Sequence, residues 1–134
     1  MGDALAGRIA DEKFVALTTF RKDGSPVAVP MWIARDGEHL VVWTPAETWK
    51  VRRLRRDPRI ELTPCGRTGK VEPGAPVLRG TAEVVTDTAV VDRAAARIKT
   101  KYGLQFRIIT FVEAVVSRGR KPRVALRITP TGTV

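Results

Sequence analysis

Two Asp-Gly pairs, Asp23-Gly24 and Asp36-Gly37, each stand between runs rich in β-branched and aromatic residues. Asp-Gly favours a two-residue hairpin turn because glycine accepts positive φ without steric cost. Residues 14–20 (Phe-Val-Ala-Leu-Thr-Thr-Phe) lead into the first pair, residues 27–34 join the two pairs, and residues 39–44 leave the second. Three strands linked by two tight turns predict a β-meander. Pro30 lies inside the middle strand. Proline donates nothing to a ladder, so its position is an edge, a bulge or a break, and a break opens backbone groups to a ligand.

Around this meander the patterning continues to alternate. Residues 3–12 read as a helix with Asp3 as N-cap and Leu5, Ile9 and Ala10 at helical spacing. Thr44-Pro45 followed by Glu47 has the form of a capping box, opening a helix to Arg56 with Val51 and Leu54 inward. Pro58 ends it, residues 59–63 alternate as a strand, and residues 64–76 form a loop rich in proline and glycine. Residues 77–85 form another strand. Asp87 opens a helix to about Lys101, with Val90, Val91 or Ala94, Ile98 and Tyr102 on one face and Gly103 as its stop. Residues 104–116 read as a helix, with a strand over 108–112 as the alternative. Residues 118–123 form a basic turn and residues 123–129 a final strand. The expectation is a mainly β fold in one domain, 1–134: a small barrel of about six antiparallel strands with two to four helices.

The charge narrows the partners. Across 134 residues, 24 Lys and Arg face 14 Asp and Glu, a net charge of +10 that favours an anion. Nucleic acid, an anionic lipid surface and a small phosphorylated or carboxylated molecule all satisfy that term. No zinc-finger spacing, RNA-recognition aromatic motif or heptad pattern occurs, so nucleic acid rests on charge alone. One Cys and one His exclude a disulfide framework, a multi-Cys zinc site and any two-His constellation. Cys65 has no His signalled nearby to activate it, and His39 begins a strand after a turn, the setting of an exposed hairpin residue. Gly66-Arg-Thr-Gly69-Lys70 lacks the P-loop spacing. Residues 1–13 hold no apolar segment of a secretory leader, and no run is long enough to span a membrane. The expected setting is cytoplasmic. With no acid–base pair, nucleophilic dyad or metal cluster, no residue is assigned as catalytic or metal-binding, and any hard chemistry falls to a cofactor.

Two features point to where an anion binds. The run from Lys50 to Arg59 holds six basic residues and one acid. A solvated helix face explains such a run; an anion site at the helix start, with backbone N–H groups and a Lys or Arg, explains it as well. Trp32, Trp43 and Trp49 are three of eight aromatics. Core packing accounts for a buried Trp, whereas Trp49, between Thr48 and Lys50, sits on a polar helix where a flat ring beside a cation suits a flat anionic ligand.

The order of these residues resembles a known family. Residues 14–33, Phe-Val-Ala-Leu-Thr-Thr-Phe-Arg-Lys-Asp-Gly-Ser-Pro-Val-Ala-Val-Pro-Met-Trp-Ile, are similar to the opening of the pyridoxamine 5′-phosphate oxidase-like superfamily, the flavin-binding split barrels. Residues 43–62, which include Lys50-Val-x-x-Leu-x-x-Asp-Pro-Arg59, resemble its actinobacterial branch, whose members use the deazaflavin F420. Leu78-Arg-Gly-Thr-Ala and Lys101-Tyr-Gly-Leu-Gln-Phe106 resemble that branch too. The resemblance implies a homodimeric split β-barrel with the cofactor in a groove at the dimer interface and a small-molecule acceptor. It implies that Pro30, Met31 and Trp32 line the ring site. Thr44, Thr48, Trp49 and Lys50 would then meet the phosphate end, with Arg52, Arg53, Arg55 and Arg56 attracting the anionic tail. Users of FMN usually carry Arg-Lys where this chain has Trp49-Lys50. That departure favours F420, with FMN the alternative.

Overall fold

The computed structural model describes residues 2–108 and 122–133. Helix α1 (Gly2–Asp11) leads into β1 (Val15–Phe20), β2 (Pro26–Met31), β3 (Ala34–Asp36) and β4 (His39–Pro45). Helix α2 (Trp49–Arg56), β5 (Arg59–Pro64), β6 (Leu78–Val85), α3 (Thr88–Tyr102) and β7 (Arg123–Thr133) follow. Residues 104–108 are helical. The rest of the expected helix to residue 116, its strand alternative beyond 108, and the basic turn from 118 to 121 lie outside the described residues.

The strands form one antiparallel sheet in the order β2-β1-β5-β6-β7-β4-β3. Both Asp-Gly turns form, with Gly24 at φ 87° and Gly37 at φ 62°. The meander does not. β2 pairs with β1 and β3 with β4, but β2 and β3 lie at opposite edges of the sheet. Residues 27–34 are therefore two strands broken at Trp32-Ile33, and the described residues hold seven strands. Only these two residues separate edges that are six strands apart in the order, so the sheet curls on itself as a split barrel. Pro30 stands on the β2 edge, where a missing N–H costs the ladder least.

Alternation fills the interior. Val15 and Leu17, Leu40 and Val42, Ile60 and Leu62, and Leu126 and Ile128 all join one buried cluster. The opposite face of β4 and β7 is covered as well. There Val41 and Ala125 pack against Val91, Ala94 and Ile98 of α3. Coverage on both faces explains why β4 reads as a continuous apolar run. Asp87 caps α3, accepting from the N–H groups of Ala89 and Val90, and Gly103 ends it at φ 57°.

Two helix starts differ from expectation. α1 already includes Gly2 and Asp3, which places Asp3 in the first turn rather than at the cap. The capping box at Thr44 does not form, because Thr44 and Pro45 remain in β4, paired with Val124 and Arg123. The ladder with β7 extends that strand, and Thr48 takes the cap position without a side-chain capping bond. An eight-residue helix is marginal alone. α2 is held by burying Val51 and Leu54 in the barrel core, each worth roughly 1.5–3 kcal/mol. Arg53 Nε also donates to Thr19 Oγ1 at 2.7 Å, and Arg56 donates to the Phe20 carbonyl at 2.8 Å. No helix among the described residues is long and apolar enough to cross a membrane.

β6 meets β7 with a register shift between Arg79 and Gly80. A Cβ at Gly80 would lie 2.6 Å from the Thr129 carbonyl oxygen and 3.3 Å from Pro130 Cα. Backbone on both sides leaves nothing flexible to give way. Gly80→Ala should destabilise the protein by about 1–3 kcal/mol, read as a lowered midpoint in denaturant unfolding. An unchanged midpoint would show that the two strands separate there freely.

Candidate functional site

A cavity of about 280 Å³ opens where the sheet is broken. Pro30, Met31 and Trp32 supply one wall, Thr44 and Pro45 the end of β4, and Lys50 the start of α2. Arg67 reaches it from the loop after β5, and Trp43, Phe106 and Arg123 close the aromatic side. The volume is near the lower end of small-molecule pockets, roughly 300 Å³ and upward, so a large ligand extends beyond it.

The walls are ordered by ring contacts. Trp32 stacks on Tyr102 with centroids 4.4 Å apart and planes 9° from parallel. Trp43 meets Phe106 at 5.2 Å, and the Arg123 guanidinium lies 4.0 Å from the Trp43 centroid. A larger cavity of about 510 Å³ shares Trp43, Phe106 and Arg123 and runs along α3 past Thr88, Asp92 and Lys99.

The electrostatics favour an anion. Lys50 is half-buried, and among the described residues no carboxylate pairs with it. Burial first, then the charges of Arg53 and Arg123, hold its pKa below the ordinary lysine value. An anion entering the pocket relieves both effects. Thr44 is 1% exposed, and among the described residues its Oγ1 has no hydrogen-bond partner. A buried unsatisfied hydroxyl costs about 1–3 kcal/mol, and a ligand acceptor or donor reaching Thr44 would remove that cost. An aromatic-walled pocket with an orphaned hydroxyl and unpaired cation fits a ring-bearing anion.

Of the residues read from the sequence, five share this cavity: Pro30, Met31, Trp32, Thr44 and Lys50. The others stand outside it. Thr48 Oγ1 donates to the Pro45 carbonyl at 3.4 Å. Trp49 is 70% exposed, with the Arg52 guanidinium 4.9 Å from its ring centroid. Arg53 is bound to Thr19. Sequence reasoning missed Arg67, Phe106 and Arg123. Arg67 has a legible signal: Gly66 and Gly69 make the tight turn that carries it. The Gly69 N–H donates to the Gly66 carbonyl at 2.9 Å, and Gly69 sits at φ 94° beside Pro30. Phe106 ends a segment that carries the resemblance and Arg123 ends the basic turn, but nothing local places either at the cavity.

The other reactive side chains are elsewhere. Burial pushes the Cys65 thiol above its ordinary pKa, which leaves it protonated and unreactive near neutrality. His39 lines a separate cavity with Arg35 and Glu38.

Thr44→Val keeps the shape and removes the orphaned hydroxyl. It should raise the stability of the ligand-free protein by about 1 kcal/mol, seen as a higher thermal midpoint. A fall in that midpoint would mean that Thr44 already has a partner in the free protein.

The family model for pyridoxamine 5′-phosphate oxidase matches residues 1–133. No curated protein matches the chain in sequence. Among solved structures, a conserved hypothetical protein from Mycobacterium tuberculosis is 23% identical with a TM-score of 0.71, covering 99% of this chain and 82% of that one. An F420 reductase is 21% identical with a TM-score of 0.59, covering 95% and 94%. A haem storage protein from Vibrio cholerae is 14% identical with a TM-score of 0.68, covering 98% and 91%. At these identities the likeness is one of fold.

Proposed function

Because the chain belongs to the pyridoxamine 5′-phosphate oxidase family, we propose that it is an oxidoreductase using the deazaflavin F420. The cofactor's ring would sit in the pocket between the broken strand and α2. When bound, the reduced deazaflavin supplies a hydride for an unsaturated organic acceptor. The observation that carries this reading is Lys50, a half-buried cation without a carboxylate partner among the described residues, lining the same cavity as Thr44.

The chain's own residues bind, orient and exclude water. Pro30, Met31 and Trp32 form the ring wall, and their apolar surface keeps solvent from the reacting face. Lys50 and Arg67 hold negative charge at the mouth. On the exposed face of α2, the Arg52–Trp49 pair, with Thr48 and Arg53 nearby, would attract a polyanionic tail. The larger cavity behind Trp43 and Phe106 gives the acceptor room against a shared wall. No side chain is assigned as a proton donor, and water at the open side serves that purpose. Two copies of the chain would form the working unit, the second completing the groove.

F420 is favoured over FMN by Trp49. Where users of FMN carry arginine before the lysine, this chain places an indole that is 70% exposed. The F420 reductase among the structures of like fold is consistent with this choice. Fluorescence titration of the apo-protein with F420, with FMN in parallel, tests it. F420 binding at micromolar affinity or better with weak FMN binding supports the reading. FMN preference would move the protein to flavin chemistry, and binding of neither would end both.

Lys50→Ala should weaken F420 binding at least about tenfold, since a charge-assisted hydrogen bond contributes about 1.5–3 kcal/mol. Unchanged affinity would remove Lys50 from the site. The pH dependence follows in sign. The bound anion raises the lysine's pKa above its depressed value in the free protein, so the complex holds the extra proton between the two values. Affinity should therefore be full below the free-protein value and fall as pH rises through it, at a lower pH than an ordinary lysine would give. Titrations at stepped pH read this directly, and Lys50→Arg should flatten the profile.

A further inference from the structure

We propose that Lys101 and Tyr102, consecutive residues at the end of α3, are positioning residues for the pocket. They hold the Trp32-Ile33 crossover so that Trp32 stands in the pocket wall. The proposal rests on the reading above that this pocket binds the cofactor.

The argument begins with an unmet demand. Trp32 and Ile33 lie between β2 and β3 and belong to neither ladder. Ile33 is 0% exposed, so its backbone N–H and C=O are cut off from water as well as from the sheet. Both are met by the last turn of α3. The Ile33 N–H donates to Tyr102 Oη at 3.1 Å, and Lys101 Nζ donates to the Ile33 carbonyl at 2.7 Å.

The same two side chains tie in the end of α1. Lys101 Nζ also donates to the carbonyls of Ala10 and Glu12, each at 2.5 Å. Tyr102 Oη donates to the Lys13 carbonyl at 2.9 Å. An ammonium has three protons and no acceptor function, so three converging carbonyls use it completely. Among the described residues no carboxylate lies within ion-pair distance of Lys101. Half-burying a lysine whose hydrogen bonds all go to carbonyls, with Asp11 and Glu12 acting only through space, is costly where an apolar residue would pack. The arrangement makes sense as a clamp that fixes the path of the backbone.

That path sets the wall. The Tyr102 ring stacks on Trp32, which lines the cavity with Pro30 and Met31. Lys101 itself does not line the cavity, so its influence on a ligand passes through Ile33 and Trp32. Loss of the clamp would free the two-residue link to take other paths and move the indole out of the wall.

Three variants separate positioning from plain stability. Lys101→Met removes the ammonium and keeps the length. Tyr102→Phe keeps the stacking ring and removes one hydroxyl. Arg97→Ala, also on α3, breaks only the contact with Asp36. Each is measured for F420 and FMN affinity, thermal midpoint and the near-ultraviolet circular dichroism of the Trp32–Tyr102 stack. Lys101→Met should weaken F420 binding by about tenfold and Tyr102→Phe by about threefold, the scale of one charge-assisted and one neutral bond. Lys101→Met, which keeps every aromatic ring, should alter the aromatic dichroism, while Arg97→Ala leaves affinity and dichroism as in the wild type. Affinity that tracks the thermal midpoint across all three variants would overturn the proposal, as would wild-type affinity in both clamp variants. If Lys101→Met fails to fold, Tyr102→Phe against Arg97→Ala decides. If the wild type binds neither cofactor, the cofactor reading fails separately. The dichroism of Lys101→Met, which keeps every aromatic ring, then decides the clamp: altered bands support it and unchanged bands overturn it.

Discussion

Everything about the pocket depends on two residues having to connect the opposite edges of one sheet. β2 and β3 stand at the two ends of the strand order, yet only Trp32 and Ile33 separate them in sequence. A link that short forces the sheet to curl until its edges approach. It also leaves a short stretch of backbone with no ladder. A barrel closed by hydrogen bonds would have no such gap, and no opening for a ligand beside Pro30 and Met31. The split is thus a consequence of connectivity, and the pocket is a consequence of the split.

The excess of positive charge is divided by geometry. Arg53 and Arg56 fasten α2 to the end of β1, Arg59 pairs with Asp57, and Arg93 and Arg97 share Asp36. The exposed ion pairs among these contribute about 0–1 kcal/mol each, so their effect lies in orientation rather than stability. Lys101 is spent on backbone carbonyls. Lys50 and Arg67 face the cavity. A net charge read from composition cannot make this division. It signals an affinity for anions, while the structure shows how few of the cations are placed to serve a small one.

Local signals in the sequence carried well wherever the cause was local. The Asp-Gly turns, the alternation of β1, β5 and β7, the Asp87 cap and the Val51–Leu54 anchors all depend on neighbours in the chain. The errors occur where distant partners decide. Residues 27–34 look like one strand because nothing within them says that Ala34 pairs with Val41 at the far edge. Thr44-Pro45-Ala-Glu47 has the composition of a helix start, but β7 extends β4 through Pro45 by pairing it with Arg123. For the site, Pro30 marked an irregular strand position and Lys50 stood at the start of a basic helix, while the break itself, at Trp32-Ile33, was not legible. Phe106 and Arg123 were not legible either, since they reach the cavity only through folding.

The relative strength of the terms identifies what must discriminate between ligands. α2 is eight residues long, and its N-terminal dipole would contribute about 0.3–1 kcal/mol toward an anion. One charge-assisted hydrogen bond from a partly desolvated lysine contributes about 1.5–3 kcal/mol. Apolar contact with Pro30, Met31 and Trp32 adds a larger but unselective amount, because any flat ring removes similar area from water. Ring burial would therefore favour binding at the pocket without choosing its occupant. The choice falls to where the negative charge of the occupant lies relative to Lys50, and to what can meet the Thr44 hydroxyl. Those two groups are held by β4 and the first turn of α2, while the ring wall is held by β2 and the crossover. Selectivity and affinity thus reside on different elements, and the shared barrel fold leaves each free to change without the other.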